Sequence, residues 1–236
     1  MAAIKELDPS LLSRANCILE TKSARIGKDY WDGKVKKALD RLVLLSSPIV
    51  LPTIALCGFA IYLDDGHWPF VDLGQQSLNT GKHVPFWKLR TMIPNAHAKE
   101  FEVIKGRPLS EVKSNMIDPR ITSIGSKFRT TSLDETPQLV NCMLGHMSLV
   151  GPRMPAYSDW KNIINPNQEI FPYKEFIELL KNGIRYGVTG FYGIFGRASL
   201  HHDDRYRLEV LYGERASFKA DLRIVVATIP ALFSGR

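Results

Sequence analysis

Hydrophobic and polar positions divide the chain into three stretches. The first 41 residues are polar on average, with no extended apolar run. From Leu42 to Leu63 the sequence then reads LVLLSSPIVLPTIALCGFAIYL, 22 residues without a charge. As one helix this run extends about 33 Å, enough for a hydrocarbon core of about 30 Å. Its internal position does not fit a cleaved signal peptide. Lys34, Lys36, Lys37 and Arg41 precede it and Asp64 and Asp65 follow, a bias that keeps the amino-terminal side cytoplasmic. Pro48 and Pro52 each lack an amide hydrogen and clash with the carbonyl four residues back, at Leu44 and Pro48. A break is therefore predicted near Ser46-Ser47-Pro48, where the serine hydroxyls are placed to serve the freed carbonyls. Two readings fit equally: a kinked spanning helix with the remainder exported, and a segment that enters and returns to the same face.

Beyond Asp65 the pattern changes to short alternations and helical stripes. Phe70 to Leu78 and His83 to Met92 predict two strands around the turn Asn79-Thr80-Gly81-Lys82. Helical spacing follows at Ala98 to Val103, Pro137 to Leu144, Tyr173 to Leu180 and Ala216 to Leu232. Strands mixed with more numerous helices give a helix-rich α/β (α+β) domain. Trp68, Phe70, Phe86 and Trp87 read as core, with an interfacial belt as the alternative, and Phe176, Leu179 and Leu180 read as core, with a membrane contact as the alternative. Leu222 to Phe233 holds Arg223 and Pro230 and has about half the length of a span, so interfacial or core packing is expected.

Composition narrows the partners. With 44% hydrophobic and 23% charged residues the 236-residue chain is globular and not a disordered polymer. The formal charge of +7, mostly carried after Asp65, favours an anionic partner without naming it. Cys17, Cys57 and Cys142 show no paired spacing, so neither a disulfide framework nor a zinc site is expected. Gly74 to Lys82 has the wrong spacing for a phosphate-binding loop, with His83 where Ser or Thr belongs. His201-His202-Asp203-Asp204 has metal-ligand residue types but consecutive spacing, which predicts a solvated loop.

Chemistry concentrates between Asp118 and Arg153. Pro137 belongs near the start of a helix, which puts Asp134 and Glu135 in its first turn, near the positive end of the dipole. A carboxylate stays ionised there, and it can attack phosphorus or hold a divalent cation. Lys127, Arg129 and Arg153 are available countercharges. The same residues also satisfy a structural reading, in which Ser132 and Glu135 form a capping box or Asp134 caps the helix.

Together these residues resemble the bacterial sugar transferase family, the monotopic polyprenyl-phosphate phosphoglycosyl transferases. The similarity is carried by Lys37 and Asp40, by Ser47-Pro48, and by Lys88-Leu89-Arg90-Thr91-Met92. It continues through Asp118-Pro119-Arg120, Arg129 to Glu135, Pro137-Gln138-Leu139, Met147 to Arg153, and Gly187 to Arg197. The first 35 residues lie outside it and read as a polar extension. The resemblance implies a re-entrant membrane helix over residues 36–65, broken at Ser47-Pro48, and a catalytic domain over residues 66–236 with interfacial helices. Both would lie on the cytoplasmic face of the bacterial inner membrane.

The resemblance also implies the reaction and its participants. Sugar-1-phosphate would pass from a nucleotide-diphosphate sugar, usually a UDP-sugar, to a polyprenyl phosphate, releasing UMP and starting a surface glycan. Asp134 would be the nucleophile and Glu135 would help hold Mg2+. Lys88, Arg90, Arg129, Arg153 and Arg197 would bind substrate or its phosphates. Downstream glycosyltransferases are further partners; nucleic acid is not one, because no binding motif accompanies the charge. Gly190 to Arg197 lacks the Trp, Gln and Asn usual in the family, and Met154 follows Arg153 where proline is usual. These departures motivate a rival reading, a membrane-docked scaffold that has lost donor recognition.

Overall fold

The computed structural model describes residues 7–19, 25–96, 118–155, 172–195 and 202–233. They fold into two compact units, one drawn from residues 1–47, 73–86 and 138–236, the other from residues 48–72 and 87–137.

The polar amino terminus contributes core to the first unit. Helices α1 (Pro9–Leu19) and α2 (Arg25–Asp32) lead into α3 (Lys34–Arg41). Leu7, Ala15, Leu19 and Trp31 are buried in a cluster with Val150, Phe191, Leu208, Tyr212 and Ile224. An average polarity conceals this because an amphipathic helix needs only one apolar stripe.

The uncharged run is helical but interrupted where its prolines fall. A 3₁₀ turn, Leu42–Ser46, separates α3 from α4 (Ser47–Asp65). Pro48 occupies the first turn of α4, where a missing amide costs little. The Leu44 carbonyl accepts the Ser47 amide instead, and the Ser46 hydroxyl donates to the Val43 carbonyl at 2.6 Å. Thr53 similarly donates to the Ile49 carbonyl at 2.8 Å, next to Pro52. By length and composition Lys34–Asp65 can cross a membrane, and among the described residues no other helix passes that test. Ile49, Leu56, Phe59 and Leu63 are exposed along α4, while Ile54, Cys57 and Ile61 face protein.

The two predicted strands are each broken into two. In the second unit β1 (Phe70–Asp72) pairs antiparallel with β4 (Trp87–Leu89), placing Val71 opposite Lys88. In the first unit β2 (Gln75–Gln76) pairs with β3 (His83–Val84), closed by the expected turn, in which Gly81 has φ +67°. Pro85 has no amide to extend the ladder between β3 and β4. Helices α5 (Ser123–Thr130), α6 (Pro137–Met143) and α7 (Tyr173–Lys181) follow; α6 and α7 match their predicted spans and α5 was not foreseen. The helix expected over Ala98 to Val103 lies outside the described residues.

A parallel pair completes the first unit. β5 (Ser148–Val150) lies beside β6 (Gly187–Thr189), and the Gly187 amide donates to the Pro152 carbonyl at 2.8 Å. A Cβ on Gly187 would stand 2.1 Å from the Gly151 nitrogen, so only glycine allows this approach. After the short α8 (Phe191–Phe195), α9 (His202–Arg215) begins inside the segment predicted as a loop. Asp203 and Asp204 occupy its first turn, favoured by the dipole, where Asp203 accepts from Tyr173 Oη and Asp204 pairs with Arg207. His201 lies outside the described residues. Among the described residues no three His, Cys, Asp or Glu side chains gather as a metal site.

α10 (Phe218–Phe233) buries Ala220, Asp221 and Ile224 and exposes Phe218, Leu222, Val226 and Ile229. Phe176 and Leu180 are buried as predicted, but Trp68 is 74% exposed, contrary to its reading as core. It stands edge-on to Phe70 at 5.6 Å between ring centroids. At the centre of the first unit, fully buried Lys36 reaches Asp221 at 2.6 Å and the Val150 carbonyl at 2.7 Å, with the Trp31 ring 4.7 Å away. Asp40, one turn on, accepts from Ser148 Oγ, the Leu149 amide and Arg185.

Candidate active site

The Asp134-Glu135 pair is positioned by close backbone packing in the second unit. Thr122 caps α5, its side chain accepting the Gly125 amide at 3.0 Å. Gly125 lies directly on Thr91, where an added Cβ would meet the carbonyl oxygen at 2.2 Å. That approach brings Arg129, one turn further along α5, to Thr91, with Nε donating to Oγ1 at 2.8 Å. The chain then turns through Ser132, a non-glycine residue in the left-handed region at φ 56°. Such a conformation is costly and needs surrounding structure to hold it. Leu133 packs against a cluster built on Cys57, Ile61 and Leu89, with Phe70, Ile124 and Phe128. Leu133–Glu135 form a 3₁₀ turn just before α6.

Neither capping pattern forms. Ser132 makes no side-chain cap bond, and its carbonyl, not its hydroxyl, engages the Glu135 amide. Asp134 is buried, and among the described residues no side-chain donor bonds its carboxyl. Burial pushes its pKa up, opposed by the charge of Lys88, reinforced by Glu135 and opposed by Arg129. The helix-end position expected to keep this carboxylate ionised is opposed by its burial, which favours the protonated form. Glu135 is held by Lys88 at 2.8 Å, both side chains mostly buried.

Arg129 is similarly desolvated, which favours loss of its proton, while Asp134 and Asp118 hold the charge. Asp118 is tied to Arg120 at 2.7 Å, and that pairing lowers its pKa. The structure thus brings Lys88, Arg129, Asp134 and Glu135 together within one unit. Arg90, expected at a phosphate, is instead committed to Asp65 and nearby carbonyls, because its fork fits that carboxylate bidentately. Thr91 stands in the Lys88 to Met92 segment that carries the resemblance but has no role assigned there, and Gly125 is not singled out; the available signal was a threonine cap, Thr122, followed three residues later by that glycine.

Arg153 belongs to the first unit. Its amide faces the Glu209 carboxyl at 3.4 Å, and its guanidinium lies 5.1 Å from the centre of the Tyr192 ring, which Arg205 also covers at 4.3 Å. Burial pushes Glu209 up to about 7, against the charges of Arg205 and Arg153. Arg197 lies outside the described residues.

Two adjacent carboxylates, one desolvated and one paired with lysine, with the Arg129 charge beside them, suit attack on a phosphate ester. Comparison with known families decides which kind: the model of the bacterial sugar transferases matches residues 31–235. The chain belongs to the bacterial sugar transferase family. It is accordingly an enzyme of the phosphoglycosyl transferase class. It is 31% identical over 212 residues to the exopolysaccharide production protein ExoY of Sinorhizobium fredii, covering 86% of this chain and 88% of that protein. It is 29% identical over 192 residues to the undecaprenyl-phosphate galactose phosphotransferase of Salmonella typhimurium, covering 79% and 37%. The UDP-glucose:undecaprenyl-phosphate glucose-1-phosphate transferase of Escherichia coli is 28% identical over 204 residues, covering 83% and 40%. This sugar transferase therefore spans less than half the length of the last two relatives, and nearly all of the first.

Proposed function

We propose that this sugar transferase moves sugar-1-phosphate from a UDP-sugar to undecaprenyl phosphate through a covalent phosphosugar-aspartate. The observation that carries the reading is the buried Asp134 carboxyl, which accepts no side-chain hydrogen bond among the described residues and is set among Lys88, Arg129 and Glu135. Among the described residues its own amide is the donor its carboxyl accepts from, which leaves lone pairs for attack. Asp134 attacks the sugar-linked phosphorus, the bond to the bridging oxygen breaks, and UMP leaves with that oxygen. An oxygen of the acceptor phosphate then attacks the same phosphorus and releases the Asp134 carboxylate.

Lys88 and Arg129 stabilise the charge that develops on the phosphoryl oxygens, a role worth about 10²–10³ in rate for one well-placed donor. Lys88 also fixes Glu135. Asp134 and Glu135 offer the hard oxygen donors that Mg2+ takes, commonly one or two carboxylates completed by substrate phosphates. When bound, the ion would offset the negative charge of donor and dyad. Arg153, and Arg197 by its place in the sequence, are assigned to phosphate.

We assign residues 42–65 to a re-entrant, monotopic anchor at the cytoplasmic face; the expected start at residue 36 is corrected, because Lys36 and Asp40 are buried in the first unit, paired with Asp221, Ser148 and Arg185. The interruption at Ser46-Ser47-Pro48 supports this, as does the apolar face that α10 exposes. Held at one interface, enzyme and acceptor meet in two dimensions. The product would start a surface glycan, as the name of the Sinorhizobium relative suggests.

The test is release of nucleoside monophosphate from a panel of UDP-sugars, with Mg2+ and undecaprenyl phosphate in nanodiscs. Release by the wild type and not by Asp134→Asn supports the reading. Silence across the panel from folded, membrane-bound protein favours the scaffold alternative.

A further inference from the structure

Arg90 is buried, and every donor of its guanidinium is engaged within the protein. Nη1 and Nη2 each donate to one oxygen of Asp65 at 2.6 Å. Nε donates to the Trp68 carbonyl at 2.9 Å, and the second bonds of Nη1 and Nη2 go to the Met92 and His67 carbonyls at 3.1 and 3.4 Å. A guanidinium has five N–H groups, so none remains for a substrate oxygen. The Arg90 amide adds a bond to the Pro69 carbonyl at 2.7 Å. The gripped residues, Asp65 to Pro69, are the last residue of α4 and the chain leaving it.

What the clamp holds lies beside the dyad. Leu89, immediately before Arg90, is 1% exposed and packs with Cys57 and Ile61 of α4. Lys88, one residue earlier, holds Glu135. Two strand residues span about 7 Å, so rotation of the strand end at Arg90 displaces the Lys88 amine directly. The bidentate fork fixes angle as well as distance, which a lysine at this place cannot do.

Building on the functional reading above, we propose that Arg90 is a positioning residue: by clamping the exit of α4 to the end of β4 it fixes Lys88, and through Lys88 the Glu135 carboxylate. The membrane helix and the carboxylate pair then behave as one rigid piece. Arg90 touches no substrate and acts only through Lys88.

The test uses the full chain in nanodiscs, comparing wild type with Arg90→Lys, Arg90→Met and Asp65→Asn. The first readout is the acetylation rate of each lysine by mass spectrometry. In the wild type Lys88 should label about tenfold slower than exposed Lys37, since its charge-assisted bond must break first. In all three variants Lys88 should approach the Lys37 rate while the other lysines and the circular dichroism stay unchanged. The second readout is turnover: kcat should fall about 10- to 100-fold with donor KM within about twofold, as for a misplaced catalytic group. Unchanged Lys88 labelling in the variants overturns the proposal, as does a uniform rise at all lysines, which would make the clamp purely a stability element. If Arg90→Met does not fold, Asp65→Asn still decides. Labelling that behaves as expected in a wild type without turnover keeps the positioning role and refutes the functional reading instead.

Discussion

Asp221 and Asp134 are both buried carboxylates, and the contrast between them separates structure from chemistry in this molecule. Asp221 accepts from Lys36 at 2.6 Å, from Tyr30 at 2.8 Å and from Tyr212 at 2.6 Å. Asp134 has Lys88 and Arg129 as neighbouring charges but, among the described residues, no side-chain hydrogen bond. Burial raises both. The first is a joint between α2, α3, α9 and α10, with both carboxylate oxygens engaged. The second is left under-satisfied, which costs stability and keeps it reactive.

Removing the charge at each site should therefore give opposite results. Asp134→Asn is expected to lower turnover by about 10⁴-fold or more, as for loss of a nucleophile. The same variant should melt about 2–4 °C higher, because a desolvated charge disappears. The sign follows from linkage: a raised carboxyl favours the protonated folded state, so stability falls as pH rises from the ordinary value through the raised one. Scanning calorimetry and UMP release, measured on one preparation, check both halves.

The second way to break the contrast is Lys36→Met, which strands Asp221 in the core. A loss of about 3–5 kcal/mol is expected by chemical denaturation, with activity per folded molecule unchanged. Lys36→Met combined with Asp221→Leu should recover most of it, since buried pairs stabilise little over apolar replacements. Near the dyad, Lys88→Met should cost about 10²-fold in kcat with a small change in melting temperature. The smallest effect concerns Glu209. Its carboxyl is raised from 4.5 to about 7, so the folded state prefers it neutral and stability declines as pH climbs across that window. Glu209→Gln should flatten the decline in pH-dependent melting curves.

Much of this was legible in the residues, though unevenly. The proline positions located the break before α4, and the stripes located α6, α7 and α10, because periodicity and proline sterics act locally. Pro137 near a helix start located the carboxylate pair. What the sequence hid is tertiary: the Gly125 approach to Thr91, the left-handed Ser132, and the depth at which Asp134 lies, whose desolvation works against its helix-end position. The β5–β6 pairing joins residues almost 40 positions apart, beyond any local signal. Arg90 shows the same limit, since an arginine in a strand looks alike whether it meets a phosphate or an aspartate. The amino-terminal helices were read as a polar extension because their core contacts, such as Trp31 with Tyr212, come from distant residues.

The central claim is that Asp134 becomes covalently phosphorylated by donor. Its most direct test is intact-protein mass spectrometry after incubation with each UDP-sugar and Mg2+, without acceptor, followed by peptide mapping. The account predicts a mass increase equal to the sugar phosphate of one donor, mapped to Asp134, absent from Asp134→Asn and discharged by undecaprenyl phosphate. An adduct on another residue, or turnover in which Asp134→Asn equals the wild type, would contradict it.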